Sequence, residues 1–141
     1  MANKLIRGLT VEIGGDTTKL GAALKNIESK SKSLSGELNA INRLLKLDPT
    51  NTELLAQKQQ VLSEAISATR EKLAALKEAE NQVQEQFARG EISAEHYRKF
   101  QREITATEAK LKKYEDSAKE TDEALKNLAK GTKTAEQRTQ E

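Results

Sequence analysis

From Leu20 onward, seam-forming side chains recur at alternating intervals of four and three residues: Leu20, Leu24, Ile27, Ser31, Leu34, Leu38, Ile41 and Leu45. That period keeps one stripe on one side of an α-helix and wraps the helix around a neighbour. The same spacing restarts twice. One run is Leu55, Gln59, Leu62, Ile66, Thr69, Leu73, Leu76, Glu80, Val83 and Phe87; the other is Tyr97, Phe100, Ile104, Thr107, Leu111, Tyr114, Ala118, Thr121, Leu125 and Leu128. A chain patterned this way lines a narrow seam and cannot fill a thick, rounded core. Its make-up agrees: 35% hydrophobic, 33% charged and only 3% aromatic residues over 141 positions, the balance of long helices and coiled coils. So polar a chain would be disordered without periodicity, and the unbroken repeat decides for helix.

The runs are separated by local stop and start signals. Pro49 in "KLDPTNTELL" lacks an amide hydrogen and disfavours helix at Asp48. Two caps are open for the next helix, Asp48 itself or a capping box of Thr50 with Glu53. In "FARGEISAEHY", Gly90 suits the left-handed residue that closes a helix. Ser93 suits the following N-cap, and Ile92 and Tyr97 take the two positions of a hydrophobic staple. The spacing predicts helices over about 16–47, 50–89 and 94–130, each roughly 45–60 Å long at about 1.5 Å per residue. Residues 131–141 lack periodic apolar positions and are expected to form a flexible tail.

Residues 1–15 are expected to form a strand or extended arm. Leu9, Val11 and Ile13 alternate with Thr10 and Glu12, and no later segment reads as a partner strand. Gly14-Gly15 then gives a sharp turn, and Asp16 is placed to cap the first helix. The predicted fold is all-α: an antiparallel three-helix coiled-coil bundle with a short N-terminal strand or arm. Folding at Pro49 would set Leu45 against Leu55, Leu38 against Leu62 and Leu34 against Ile66. It would also bring together Ser31, Thr69 and Tyr114 as a polar, register-fixing layer. Glu80 is the weak point of the second stripe.

Charge narrows the function classes. There are 24 basic and 22 acidic residues, a net charge of +2 with no basic stripe, which disfavours a dedicated nucleic-acid surface. Acid-first pairs four residues apart (Glu28–Lys32, Glu85–Arg89, Glu95–Lys99, Glu108–Lys112, Glu115–Lys119, Asp122–Lys126) read as a solvated helix surface. No apolar run reaches the length of a membrane span, and "MANKLIRGLTVEIGGD" lacks the apolar core of a signal peptide. Cysteine is absent, so there is no thiolate chemistry.

No residue stands out as catalytic, cofactor-binding or metal-ligating. The single histidine, His96, has no second ligand at metal spacing and reads as a first-turn surface residue. Gly14-Gly15 matches neither phosphate-cradling glycine pattern. The aromatics Phe87, Tyr97, Phe100 and Tyr114 lie in or beside the seam. An enzyme is not expected.

Three phrases in order, "GLTVEIGGDTTKLGAAL", "LLKLDPTNTELL" and "QFARGEISAEHYR", span most of the ordered chain. Together with "TREKLAALKEAENQVQ" between the last two, they resemble the N-terminal region of tail tape measure proteins of phages and prophages of Gram-positive bacteria. The resemblance covers about residues 4–115. It implies a structural role: a helical chain inside the tail, around which tube subunits polymerise, so that chain length sets tail length. The implied partners are tail tube proteins and tail assembly chaperones, the implied locations the host cytoplasm during assembly and the lumen of the virion tail. Tape measures are commonly many times longer, and on this resemblance the sequence is expected to be an N-terminal fragment. The opening strand would then pair with a neighbouring copy or another part of a longer chain. The alternative is a generic coiled-coil adaptor or chaperone-binding module without enzymatic activity.

Overall fold

The computed structural model describes the backbone of residues 4–6, 9–11 and 17–140, and side chains over 24–130. The chain is all-α apart from its start. Three long helices follow one another, α1 (Thr17–Leu47), α2 (Thr52–Ala88) and α3 (Ala94–Gln140). Two short strands precede them, β1 (Lys4–Ile6) and β2 (Leu9–Val11).

The strands correct the expectation of an unpartnered strand at Leu9–Ile13. β2 pairs antiparallel with β1, Lys4 opposite Val11, Leu5 opposite Thr10 and Ile6 opposite Leu9. Three residues are too few to show alternation, so β1 is hidden in the sequence. The two intervening residues are nonetheless the commonest hairpin-loop length. Ile13, the Gly14-Gly15 turn and the Asp16 cap lie outside the described residues.

The first inter-helix turn is capped at Asn51, one residue after Thr50 and three after Asp48, the two expected caps. Asn51 is the N-cap of α2: its Oδ1 accepts from the Leu54 amide at 3.0 Å, and its carbonyl accepts from Leu55 at 3.0 Å. Asp48 buttresses the cap instead of forming it, accepting from Asn51 Nδ2 at 3.2 Å. Pro49 therefore stands in the turn, outside the helix.

The second turn closes as its sequence predicts. Gly90 sits at φ 72°, its amide donates to the Phe87 carbonyl at 3.0 Å, and Glu91 donates to Gln86 at 2.8 Å. These are the paired bonds of a Schellman motif. Ser93 Oγ accepts from the His96 amide at 3.1 Å, and Ile92 and Tyr97 pack against one hydrophobic cluster.

The third helix does not stop at Lys130. Its backbone continues to Gln140, correcting the expected flexible tail over 131–141. The stretch holds no proline, so nothing in it forces the helix to stop where the apolar stripe ends.

The chain forms two compact units. Unit 1 comprises residues 1–32 and 67–111, unit 2 residues 33–66 and 112–141. In unit 1 a buried cluster joins Leu24 of α1, Leu76, Ala79 and Val83 of α2, and Phe100 and Ile104 of α3. In unit 2 the buried side chains include Leu34, Leu38, Ile41, Leu55, Val61, Leu62, Ala65 and Tyr114.

From Leu24 onward each predicted stripe faces inward, buried or half-buried, apart from Phe87. Phe87 is 39% exposed and stacks flat on Tyr97, ring centres 4.5 Å apart. Glu80 is half-buried. α2 also buries a second row that the stripes did not reveal: Val61, Ala65, Ala68, Lys72, Ala79 and Gln86. A buried face this wide belongs to a helix covered on more than its seam.

Candidate functional site

Lys72 is the most unusual member of that second row. A lysine is almost never fully buried without a partner, yet the Lys72 side chain is only 9% exposed. It extends to two carboxylates in unit 1. Its Nζ donates to Glu103 Oε1 of α3 at 2.6 Å and lies 3.4 Å from Glu28 Oε1 of α1. Each helix thus contributes one charged group to a single layer. At 13% exposure the Glu103 side chain is nearly as enclosed as the lysine, whereas Glu28, at 33%, keeps one side in water.

A recess of about 80 Å³ adjoins the layer, lined by Ser31, Thr69, Thr107 and Lys110 as well as the three charged residues. Buried threonines are accommodated by bonding back to their own helix: Thr107 Oγ1 donates to the Glu103 carbonyl at 2.7 Å. Thr121, in unit 2, does the same toward Ser117 at 2.8 Å.

Ser31 and Thr69, expected to share a polar layer with Tyr114, line this recess. The place expected for Tyr114 is taken there by Thr107 from α3. The Tyr114 hydroxyl is hydrogen-bonded to Ser35 in unit 2, and burial of the ring raises its pKa above the usual tyrosine range, the Ser35 bond opposing that rise.

The sequence pairs were partly redirected. Glu85–Arg89, Glu95–Lys99 and Asp122–Lys126 form at 3.8, 4.0 and 3.0 Å. Glu28 instead reaches Lys72, and Glu108 reaches Lys77 at 3.7 Å. Lys112 pairs with Asp116 at 3.3 Å. Arg89 also grips Glu91 across the Gly90 turn, Nε to Oε1 at 3.0 Å, which raises the arginine pKa further. The ion layer is not legible in the sequence, where Glu28 has a ready partner four residues on in Lys32 and nothing local sets it beside Lys72. One local signal existed: Lys72 interrupts an alanine row, Ala65, Ala68, Ala75 and Ala79, at the same alternating spacing.

Chemically, the layer can hold three helices together at one level. Among the described residues no three His, Cys, Asp or Glu side chains are grouped to hold a metal. No described helix is long and apolar enough to cross a membrane. His96 is half-buried in the first turn of α3.

Over 115 residues, 82% of its length, the chain is 30% identical to the probable tape measure protein of Lactococcus phage SK1. The chain carries a tape-measure-like region. A 49-residue stretch is 45% identical to the tape measure protein of Lactococcus phage F4-1. The chain spans only 11% and 13% of these two relatives. No protein-family model matches, and no solved structure gives a significant match. The tape-measure-like region is thus helical and heptad-patterned.

Proposed function

We propose that the chain acts as the N-terminal segment of a tail tape measure protein, setting tail length and scaffolding tube assembly. The observation that carries the reading is the likeness to two phage tape measure proteins, over a region whose helices bury heptad stripes from end to end of the described side chains. A helix suits a ruler because its length grows in proportion to residue number, about 1.5 Å for each.

In this reading the partners are tail tube subunits and tail assembly chaperones, with self-association along exposed helix faces. The protein acts in the host cytoplasm and ends in the tail lumen, and it has no enzymatic activity. The helices lie antiparallel in a three-helix coiled coil. Two contacts in unit 1 support that arrangement: Phe87 stacks on Tyr97 beside the Gly90 turn, while Thr69 and Thr107, far from the turn on their helices, line one recess.

The test is an in-frame deletion of residues 16–130 in the phage or prophage that encodes the chain, with tails measured by electron microscopy. Absent tails, or tails shortened by up to about 1.5 Å per residue removed, are the expected result. Full-length tails in normal yield would overturn the assignment and leave a generic coiled-coil adaptor as the better reading.

A further inference from the structure

Along α2, Lys72 has buried apolar neighbours on either side, Ala68 at 1% and Leu76 at 0% exposure. Within unit 1 the charges therefore form one level between apolar contacts, where Lys72 of α2 meets Glu28 of α1 and Glu103 of α3. Lys72 is the one charged residue in the buried set of the described residues.

The heptad stripes do not tell one helix from another. Leu24 and Ile27 of α1, Leu73 and Leu76 of α2, and Phe100 and Ile104 of α3 are all large and apolar, and such stripes pair with their own kind as readily as with each other. The charges do discriminate. Each helix supplies a different member of the layer, in the order negative, positive, negative, so the set is complete only where α1, α2 and α3 meet. Two copies of α2 joined along the same flank would bury Lys72 against Lys72, or against Ala68 and Ala79 of that row. Copies of α3 joined likewise would enclose Glu103 without a cation. A buried charge that loses its partner is strongly destabilising, and a single polar residue in a seam fixes oligomer state by the same penalty.

We propose that the Glu28–Lys72–Glu103 layer decides which helices pair: it admits one α1, one α2 and one α3, and it rejects like-with-like pairing between copies of the chain. The layer is thus a selective device, held at a cost in stability relative to an apolar one. The proposal concerns unit 1 alone and does not rest on a role in a tail.

The self-association constant of the full chain, from sedimentation equilibrium over a range of concentrations, tests it. Glu28→Gln/Lys72→Met/Glu103→Gln removes the charges while keeping the side chains close in shape. It is expected to self-associate roughly tenfold more tightly than the parent, or more, because like-with-like pairing no longer strands a charge. Should that variant not fold, Glu28→Leu/Lys72→Leu/Glu103→Leu takes its place with the same expectation. Glu28→Lys/Lys72→Glu/Glu103→Lys rebuilds a complete layer with every sign reversed and is expected to associate as the parent does. Should the reversed layer not fold, Lys72→Arg, which keeps every sign, serves as that control. Circular dichroism confirms that each variant is helical. A neutral layer that associates no more tightly than the parent overturns the proposal. So does a charged control that associates as tightly as the neutral layer.

Discussion

Gln59 occupies a stripe position in unit 2, and its side-chain oxygen is buried with no hydrogen-bond partner among the described residues. A stranded acceptor costs more than an apolar group of similar size at the same place. Gln59→Leu is therefore expected to raise the unfolding free energy by about 1–2 kcal/mol, read from urea midpoints. Lys72 is the opposite case. Its truncation leaves two carboxylates without their buried cation, so Lys72→Ala is expected to destabilise unit 1 by about 3 kcal/mol, measured by the same unfolding series. Tyr114 gives a pH signature. Burial raises its folded-state pKa above the unfolded value, so the neutral phenol's contribution is complete below about pH 10, the ordinary tyrosine value, and fades as pH climbs through the folded pKa. Unfolding followed across alkaline pH should show that loss in the parent and a smaller one in Tyr114→Phe.

At the scale of elements, helix ends are held by a few local bonds. Gly90 is the one described glycine with a positive φ, 72°. A Cβ there meets no neighbour within 4 Å, so the penalty for Gly90→Ala is backbone strain alone, about 1–2 kcal/mol. Asn51 satisfies an otherwise orphaned amide of α2; Asn51→Ala is expected to cost about 1 kcal/mol. Thermal melts of the two variants check both values, and a Gly90→Ala protein as stable as its parent would refute the strain account. The exposed pairs along α2 and α3 matter less. Glu85–Arg89, Glu95–Lys99 and Asp122–Lys126 each have at least one partner half in water, where solvent screens most of the attraction. They keep the surface solvated while the stripes hold the helices.

For the molecule as a whole, the β-hairpin changes what the N-terminus is expected to do. An unpartnered strand would seek a second copy, whereas β2 already has β1. Removing residues 1–14 should accordingly leave the oligomeric state unchanged in light scattering. A fall in assembly size would show instead that the hairpin's outer edges recruit other chains. Both units keep buried side chains of their own within the described region, so helicity measured by circular dichroism should survive the truncation.

Helix identity, the inward stripes, the Gly90 closure and the Ser93 cap were all legible because each rests on residues within a turn or two of one another. Period and capping chemistry are local. The first turn shows the limit of that reading: Asp48, Thr50 and Asn51 are all competent caps, and only the backbone path through Pro49 selects Asn51. The second buried row of α2 lay beyond reach for a different reason. Alanine is at home on either side of a helix, so Ala65, Ala68 and Ala79 carry no sign of burial until neighbours cover that flank. Lys72 and Glu103 stand 31 residues apart in sequence, and each has a plausible solvent-facing role on its own helix. Sequence by itself determined that this chain is helical, where it turns and which stripe it hides. Tertiary structure alone decided which flank of α2 is enclosed and which charges must share that enclosure, because desolvation depends on all the helices that crowd a group and not on the helix that bears it.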